Sequence, residues 1–266
     1  MSRARARNRT IVRVVVLLGV TTLSWADQEN ADSPAVTPYR PSVSTPAALS
    51  APGWLEAEVG VLRAGAPGAG ARASLAYTLK LAFSPDWGVR VGGEALVRAE
   101  NPQREAVIGF GDTSLVLKRR WAVNEASALG LELGGTIASA RAGLGSGSGG
   151  TDVSLNSIYS ADVGVLHTDV NLMFTRLSQI EADQDRVQTL WAVALSGIVG
   201  SRWGWIGELS GTRQRGAAPR AQGLCALSFS PARRVTWDGG VAKGLTSGSA
   251  SWSVFLGGTA LVGRAF

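Results

Sequence analysis

Apolar and polar positions alternate along the chain from residue 54 to residue 266. In the stretch LEAEVGV at 55–61, apolar residues take every second position, and two glutamates, Glu56 and Glu58, stand between them. This period of two is that of a β-strand with two different faces. The same pattern, interrupted by turns rich in Gly, Pro and Asp, predicts twelve strands. They cover residues 54–63, 74–83, 89–98, 107–120, 129–137, 152–161, 166–175, 187–199, 203–210, 221–229, 235–243 and 251–266.

The predicted strands have the number and spacing of a closed, membrane-spanning barrel. Residues 54–266 leave about 18 residues for each strand with its connection, which suits strands of about 10 residues joined alternately by short turns and longer loops. An even number of strands places both ends of the barrel on one side, the periplasmic side of an outer membrane. We therefore predict an all-β, transmembrane, antiparallel up-and-down barrel of about twelve strands, closed by the C-terminal strand, with ten or fourteen strands as alternatives.

One predicted strand, 107–120, changes phase near Gly111 and Asp112. Its large apolar residues are even-numbered before this point and odd-numbered after it. A β-bulge, which inserts one extra residue into one strand of a pair, accounts for such a change.

The first 26 residues have the features of a secretory signal peptide. Five arginines precede a short apolar run at 14–23: Arg3, Arg5, Arg7, Arg9 and Arg13. The run is shorter than the roughly 20 apolar residues that a spanning helix needs, and Ser24-Trp25-Ala26 fits a small-x-small cleavage site. Residues 27–53, rich in Pro, Ser and Thr, follow as an extended peptide that either stays in the periplasm or folds into the lumen. Residues 54–266 are the predicted barrel.

The net charge of +6 mainly reflects this leader. Removing its five arginines from the 26 basic residues leaves 21, against 20 acidic residues. A near-neutral chain outside the cytoplasm argues against nucleic acid as a partner. The single cysteine, Cys225, excludes an intramolecular disulfide, and no cluster of His and Cys offers a metal site. We expect neither a metal nor another cofactor.

A soluble β-sandwich also shows alternation and is the main alternative fold. Six tryptophans near predicted strand ends favour a membrane instead, since amphipathic rings collect at the two membrane interfaces. These residues are Trp54, Trp87, Trp121, Trp203, Trp237 and Trp252.

The end of the chain resembles the closing strand of bacterial outer-membrane barrels. Alternating apolar residues lead to a terminal aromatic residue, Phe266. The resemblance implies that the barrel-assembly machinery reads this strand and that outer-membrane lipid surrounds the barrel. Arg264 stands where such barrels usually carry an apolar or aromatic residue, and we expect its long side chain to reach lipid headgroups at the rim.

Several segments, taken in order, resemble one known family. They are PSVSTP at 41–46, PGWLEAEVG at 52–60, GFGDTSLVLK at 109–118 and HTDVN at 167–171, followed by Glu208 and the DGG run at 238–240. Together they resemble the transporter-like outer-membrane proteins of the meta-pathway of phenol degradation, over residues 40–266. The resemblance implies an outer-membrane channel or transporter for small hydrophobic or aromatic compounds in a Gram-negative bacterium.

The inward faces of the predicted strands carry the residues that we expect to line the lumen. They are Glu56, Glu58, Lys80, Arg90, Glu94, Lys118, Glu132, His167, Asp169, Asn171, Glu208 and Asp238, together with Arg98. Such residues either set the selectivity of passage or pair across the barrel and fill it. We expect the second role for most of them.

Two other functions remain open at this stage. A barrel enzyme that acts on lipid would use the only histidine, His167, but the residue two positions on is Asp169 and not a serine. The two side chains share a strand face and could transfer a proton, although a single histidine among Asp and Asn is more often a hydrogen-bonded lumen residue. An adhesion barrel would bind through the loop at 139–151, which lacks the aromatic residues of binding hot spots. We therefore expect no enzyme and no catalytic residues.

Overall fold

The structure is a computed structural model that describes residues 34–66, 70–100, 105–140 and 149–266. The predicted signal peptide, 1–26, lies outside the described residues. None of the described residues forms a helix long and apolar enough to cross a membrane. The strands are β1 (Trp54–Ala66), β2 (Gly70–Ala82), β3 (Trp87–Glu100), β4 (Ala106–Gly109), β5 (Thr113–Asn124), β6 (Ser127–Ile137), β7 (Asp152–Val163), β8 (Leu166–Arg176), β9 (Val187–Val199), β10 (Trp203–Gln214), β11 (Arg220–Ala232), β12 (Val235–Gly244) and β13 (Trp252–Arg264).

Twelve of these strands form a closed ring. Each pairs antiparallel with the strands before and after it, and β1 pairs with both β2 and β13, so that the C-terminal strand closes the sheet. The short strand β4 pairs with the end of β3 beyond the part that pairs with β5. The predicted all-β, antiparallel barrel of twelve strands, closed by the C-terminal strand, is confirmed.

The irregularity near Gly111 is an interruption and not the predicted bulge. Residues 110–112 leave the sheet between β4 and β5, and the Gly111 N–H donates to the Glu94 carbonyl at 2.9 Å. The strand predicted at 107–120 is therefore two segments laid along one neighbour, which is why the described residues contain one strand more than the ring.

A bulge does occur on the neighbouring strand β3, at a position that alternation alone does not mark. Ala76 of β2 pairs with Glu94 of β3, but Leu75 pairs with Leu96, so Ala95 is an extra residue. An extra residue turns the following side chains to the opposite face. The prediction that Arg98 lines the lumen is wrong for this reason: its side chain is 54% exposed.

The strand ends define two mouths of the barrel. At one, here called the short-turn mouth, lie the two- to four-residue turns at 83–86, 125–126, 164–165, 200–202 and 233–234 and both ends of the barrel chain. Five of the six tryptophans predicted to form girdles lie within three residues of a strand end there, and Trp252 stands at the other, long-loop mouth.

Burial is inverted relative to a water-soluble protein. Two glutamates, Glu56 and Glu58, are among the largest fully buried side chains, whereas Leu133, Leu209 and Leu256 are each more than half exposed on the outer face. Apolar side chains outside and polar side chains inside are the arrangement of a barrel surrounded by lipid.

Candidate functional site

The segment 34–53, here called the luminal peptide, lies inside the barrel. It begins at the short-turn mouth, where the Val36 N–H donates to the Arg233 carbonyl at 2.8 Å, and it returns there, where the Gly53 N–H donates to the Ala82 carbonyl at 2.8 Å. Its prolines lack an N–H and disfavour regular strand pairing, so its remaining N–H groups take acceptors from the barrel wall. Of the two locations that the sequence left open, this part of the segment occupies the lumen.

Tyr39 is the aromatic residue of the luminal peptide, and it is only 7% exposed. The ammonium groups of Lys80 and Lys118 lie 3.9 and 4.3 Å from the centroid of its ring, close enough for cation–π attraction. The phenol donates to the Ala48 carbonyl at 2.8 Å and accepts a hydrogen bond from Lys118 at 3.1 Å. Burial, with a smaller contribution from the negative charge of Glu132, raises the pKa of this phenol well above its usual value. Tyr39 therefore remains a neutral donor.

Two glutamates of β1 hold the start of the luminal peptide. Glu56 accepts a hydrogen bond from the Thr37 N–H at 3.0 Å, and Glu58 accepts one from the Tyr39 N–H at 2.7 Å. Lys80 stands directly opposite Glu56 across the β1–β2 pair, and its ammonium lies 2.6 Å from a carboxylate oxygen of each glutamate. The three charged groups are thus both paired and hydrogen-bonded, as burial requires.

A second ionic cluster surrounds Glu132 of β6. Lys118 is its cross-strand partner on β5, and the ammonium lies 3.2 Å from the Glu132 carboxylate. Arg90 approaches the same carboxylate to 3.6 Å, and the Asn156 amide donates to it at 3.0 Å. Since Glu132 and Lys118 are almost fully buried, this cluster fills the lumen beside Tyr39.

Strands β7 and β8 hold the next part of the luminal peptide. Asn171 bonds Thr45 twice, accepting from its N–H at 3.0 Å and donating to its carbonyl at 2.9 Å. The Ala47 N–H donates to the Ser160 hydroxyl at 2.7 Å, and that hydroxyl donates to Asp169 at 2.5 Å. These contacts satisfy the peptide backbone in the way that a neighbouring strand would.

The far side of the lumen holds the luminal peptide with two carboxylates. Glu208 accepts hydrogen bonds from the N–H and the hydroxyl of Ser44 at 2.8 and 2.9 Å. Asp238 pairs with the guanidinium of Arg40 at 3.3 Å. A Cβ atom at Gly60 would lie 2.3 Å from the Arg40 guanidinium carbon, so glycine there provides the space for this arginine.

Two open pockets lie on either side of residues 40–44. The pocket toward the short-turn mouth has a volume of about 510 Å³, and the wall side chains that enter it include Ile198, Ile206 and His167. The pocket toward the long-loop mouth has a volume of about 300 Å³ and is lined by Val43 and Leu190 among others. Both pockets lie mainly along the wall formed by β9 to β12, and the first also reaches His167 and Asp169 of β8. We call the first the lower vestibule and the second the upper vestibule.

His167 does not form part of a nucleophilic triad. Its Nδ1 lies 2.6 Å from an Asp162 carboxylate oxygen and its Nε2 lies 3.2 Å from an Asp169 oxygen. The nearby Ser160 hydroxyl bonds to Asp169 and not to the imidazole. A catalytic serine needs the imidazole itself as its base, so this arrangement favours a hydrogen-bonded wall residue.

The structure places twelve of the thirteen lumen candidates on the inner face, all except Arg98. Eleven of these contact the luminal peptide or one of its partners or line the lower vestibule, whereas Glu94 stands apart and pairs with Arg72 in a partly exposed position. Phe266 is 63% exposed at the short-turn mouth, and Arg264 donates to its carboxyl oxygen at 2.8 Å. Within the described ranges, no three His, Cys, Asp or Glu side chains are grouped to hold a metal ion.

The residues of the luminal peptide that contact the wall were not among the predicted site residues. The most important are Tyr39, Arg40, Ser44 and Thr45. One signal was present: Tyr39 and Arg40 are adjacent, and they are the only aromatic and the only basic residue between 27 and 53.

No family model and no curated protein matches the chain. Among solved structures, it is similar to an outer-membrane channel from Pseudomonas putida F1, with a TM-score of 0.64 and 13% identity over 80% of this chain and 97% of that one. It is also similar to the NanC porin, with a TM-score of 0.54 and 9% identity over 78% and 98%. A third similar structure is the CymD monoaromatic hydrocarbon channel, with a TM-score of 0.51 and 7% identity over 81% and 90%. At these identities the likeness shows the barrel fold.

Proposed function

We propose that the protein is a channel in the outer membrane of a Gram-negative bacterium, and that small hydrophobic or aromatic compounds pass through it. The observation that carries the proposal is the pair of vestibules, one lined by residues of the short-turn mouth and by Arg40, Pro41 and Ser42, the other lined by residues near the long-loop mouth and by Val43. A structural barrel without transport would have no need for an open vestibule near each mouth.

The inverted burial and the tryptophans at the short-turn mouth support the membrane location. Leu133, Leu209 and Leu256 on the outer face are more than half exposed, a state that lipid stabilises and water does not. Similarity to solved channels and porins supports the same location and is in line with the expectation that the chain is not an enzyme.

The lining of the vestibules supports the substrate class. Ile198 and Ile206 enter the lower vestibule and Leu190 lines the upper one, and Ile206 also packs against an apolar cluster formed by Leu224, Ala226 and Ala242. The upper vestibule is also lined by polar side chains such as Gln188, Thr212 and Gln222, so the support comes from the apolar side chains of the lower vestibule, which suit a small apolar or aromatic solute. The similar CymD structure is a monoaromatic hydrocarbon channel by name.

Planar-bilayer conductance of the refolded chain tests the proposal. We expect small conductance steps from the parent protein and steps several-fold larger from the double variant Glu208→Ala/Asp238→Ala, which frees residues 40–44 from the wall. The matched control is Glu94→Ala, which removes an inner-face carboxylate that the luminal peptide does not contact, and it should conduct like the parent.

Substrate class is tested separately by the uptake of toluene and of glucose into proteoliposomes, each measured relative to protein-free liposomes because toluene also crosses lipid directly. A larger protein-dependent increase is expected for toluene. Absence of conductance from both the parent and the double variant, in a barrel that still shows heat-modifiable gel migration, would overturn the channel proposal.

A further inference from the structure

Two arginines stand in one row on the outer face of the barrel. Arg63 of β1 pairs with Ala73 of β2, and Ala73 pairs with Arg98 of β3. Strands lie about 4.8 Å apart, so the two arginine backbones are roughly 10 Å apart with only a methyl group between them. The bulge at Ala95 is what turns Arg98 to this face.

An apolar row lies directly below the arginines, toward the short-turn mouth. Leu75 pairs with both Val61 and Leu96, and Val61 also pairs with Leu256. Together the two rows border an open groove of about 500 Å³ whose lining is almost entirely apolar. The small side chain of Ala73 leaves the groove open at its cationic end.

The arginines lie at the far boundary of the lipid-facing band. Arg63 is nine residues from Trp54 on β1, and Arg98 is eleven from Trp87 on β3. The extra residue Ala95 adds little length to β3, so ten residues count for Arg98. With about 3.3 Å per residue and a strand tilt of about 40°, both arginines then lie roughly 23–25 Å from the tryptophans of the short-turn mouth. The apolar band of an outer-membrane barrel is about 25 Å tall.

The positive charge of Arg63 and Arg98 is only partly compensated by acidic groups. The Arg98 guanidinium lies 2.8 Å from the Glu100 carboxylate and remains half exposed. Among the described residues, no acidic side chain comes within ion-pair distance of Arg63, which is also exposed. Guanidinium groups at such a boundary bind phosphate through paired, charge-assisted hydrogen bonds.

We infer that Arg63, Arg98 and the groove below them form a binding site for lipid A, the phosphorylated and multiply acylated part of lipopolysaccharide. A phosphate group sits over Ala73 between the two arginines, and one acyl chain lies along Val61, Leu75 and Leu96. The inference rests on the outer-membrane location in the proposed function, which puts the long-loop mouth in the outer, lipopolysaccharide-containing leaflet.

Native mass spectrometry of the detergent-purified full chain, titrated with hexa-acylated bisphosphorylated lipid A, tests the site. The parent should retain one lipid A, and Arg63→Ala/Arg98→Ala should weaken binding about tenfold or more. Ala73→Trp keeps both arginines but fills the groove, and it should weaken binding to a similar extent. The matched control is Arg176→Ala/Arg213→Ala, which removes two outward, exposed arginines near the same mouth but away from the groove, and it should change binding less than twofold.

Equal loss in the control variant, or unchanged binding in both groove variants, would overturn the inference. So would phosphatidylglycerol that displaces lipid A at equal concentration, because the site would then bind any anionic lipid. Conductance separates this inference from the proposed function: Arg63→Ala/Arg98→Ala should conduct like the parent, and lipid A binding should persist even if no channel activity is found.

Discussion

The two sides of the lumen wall differ in what they place against the luminal peptide. Strands β1 to β8 contribute ionic clusters around Tyr39, in which Glu56, Glu58, Lys80, Lys118 and Glu132 are all less than 5% exposed. Strands β9 to β13 contribute mainly small or apolar side chains and two separate carboxylates, and both vestibules run along this side. We call them the charged wall and the open wall.

The difference shows that charge inside a barrel need not mark the path of a solute. On the charged wall the ions neutralise one another and exclude water, so they anchor the luminal peptide and occupy space. On the open wall, few groups hold residues 40–44 in place, and passage needs the smallest rearrangement there.

The largest effect is expected from breaking the charged wall at Glu132. The substitution Glu132→Ala leaves Lys118 buried without its carboxylate, and such a loss costs about 3–5 kcal/mol of unfolding free energy. Urea-induced unfolding in lipid vesicles measures it. The adjacent substitution Leu133→Ala, on the outer face, is the control and should cost about 1 kcal/mol or less, because lipid replaces the lost contacts. Equal costs at the two positions would show that the ionic cluster does not stabilise the barrel.

A smaller effect is expected from removing the Tyr39 hydroxyl. The substitution Tyr39→Phe keeps the ring between the lysines but leaves the Ala48 carbonyl without its donor, at a cost of about 1–2 kcal/mol. Tyr159→Phe, on the outer face, should leave the same unfolding measurement unchanged. A null result for Tyr39→Phe would mean that the peptide is held by the ionic clusters alone.

The open wall can be tested with a cysteine substitution that we expect to leave the stability of the barrel unchanged. Ile198 enters the lower vestibule and is 79% exposed, so Ile198→Cys should react with a charged, water-soluble thiol reagent and lose conductance. The native Cys225 pairs with Gly207 on the outer face, where lipid excludes a charged reagent, and the parent should not respond. Equal reaction of parent and variant would contradict the assigned faces.

The smallest effect is expected at Glu94, which belongs to the charged wall but stands near the long-loop mouth. Its ion pair with Arg72 is partly exposed, and ion pairs that solvent reaches contribute about 0–1 kcal/mol. Glu94→Ala should therefore unfold nearly like the parent. A cost as large as that of Glu132→Ala would mean that burial is not what distinguishes the two clusters.

Much of the fold could be predicted because the side chains of nearly every barrel strand alternate between the two faces with a period of two residues. Alternation alone placed Glu56, Lys80 and Glu132 on the inner face, and an even number of strands placed both barrel ends at one mouth. Bulges and interruptions break that period without a reliable signal. The bulge residue Ala95 is neither a glycine nor a proline, so nothing marked the change of face and alternation assigned Arg98 to the inner face.

The luminal peptide could not be traced from the sequence for a different reason. Its contacts are hydrogen bonds to individual side chains on many strands, such as Glu58 on β1, Asn171 on β8 and Glu208 on β10. No local pattern encodes partners that are up to 198 residues away. Only the closed ring brings these acceptors together around one short segment.

The route of the luminal peptide has a topological consequence. Val36 and Gly53 both lie at the short-turn mouth, so the segment between them is a loop inserted from one side and is not a thread that passes from mouth to mouth. A loop of this kind is unlinked from the ring of strands, as natural folds generally avoid threading. It can leave the lumen by the mouth through which it entered, and no strand pair has to separate for it to do so.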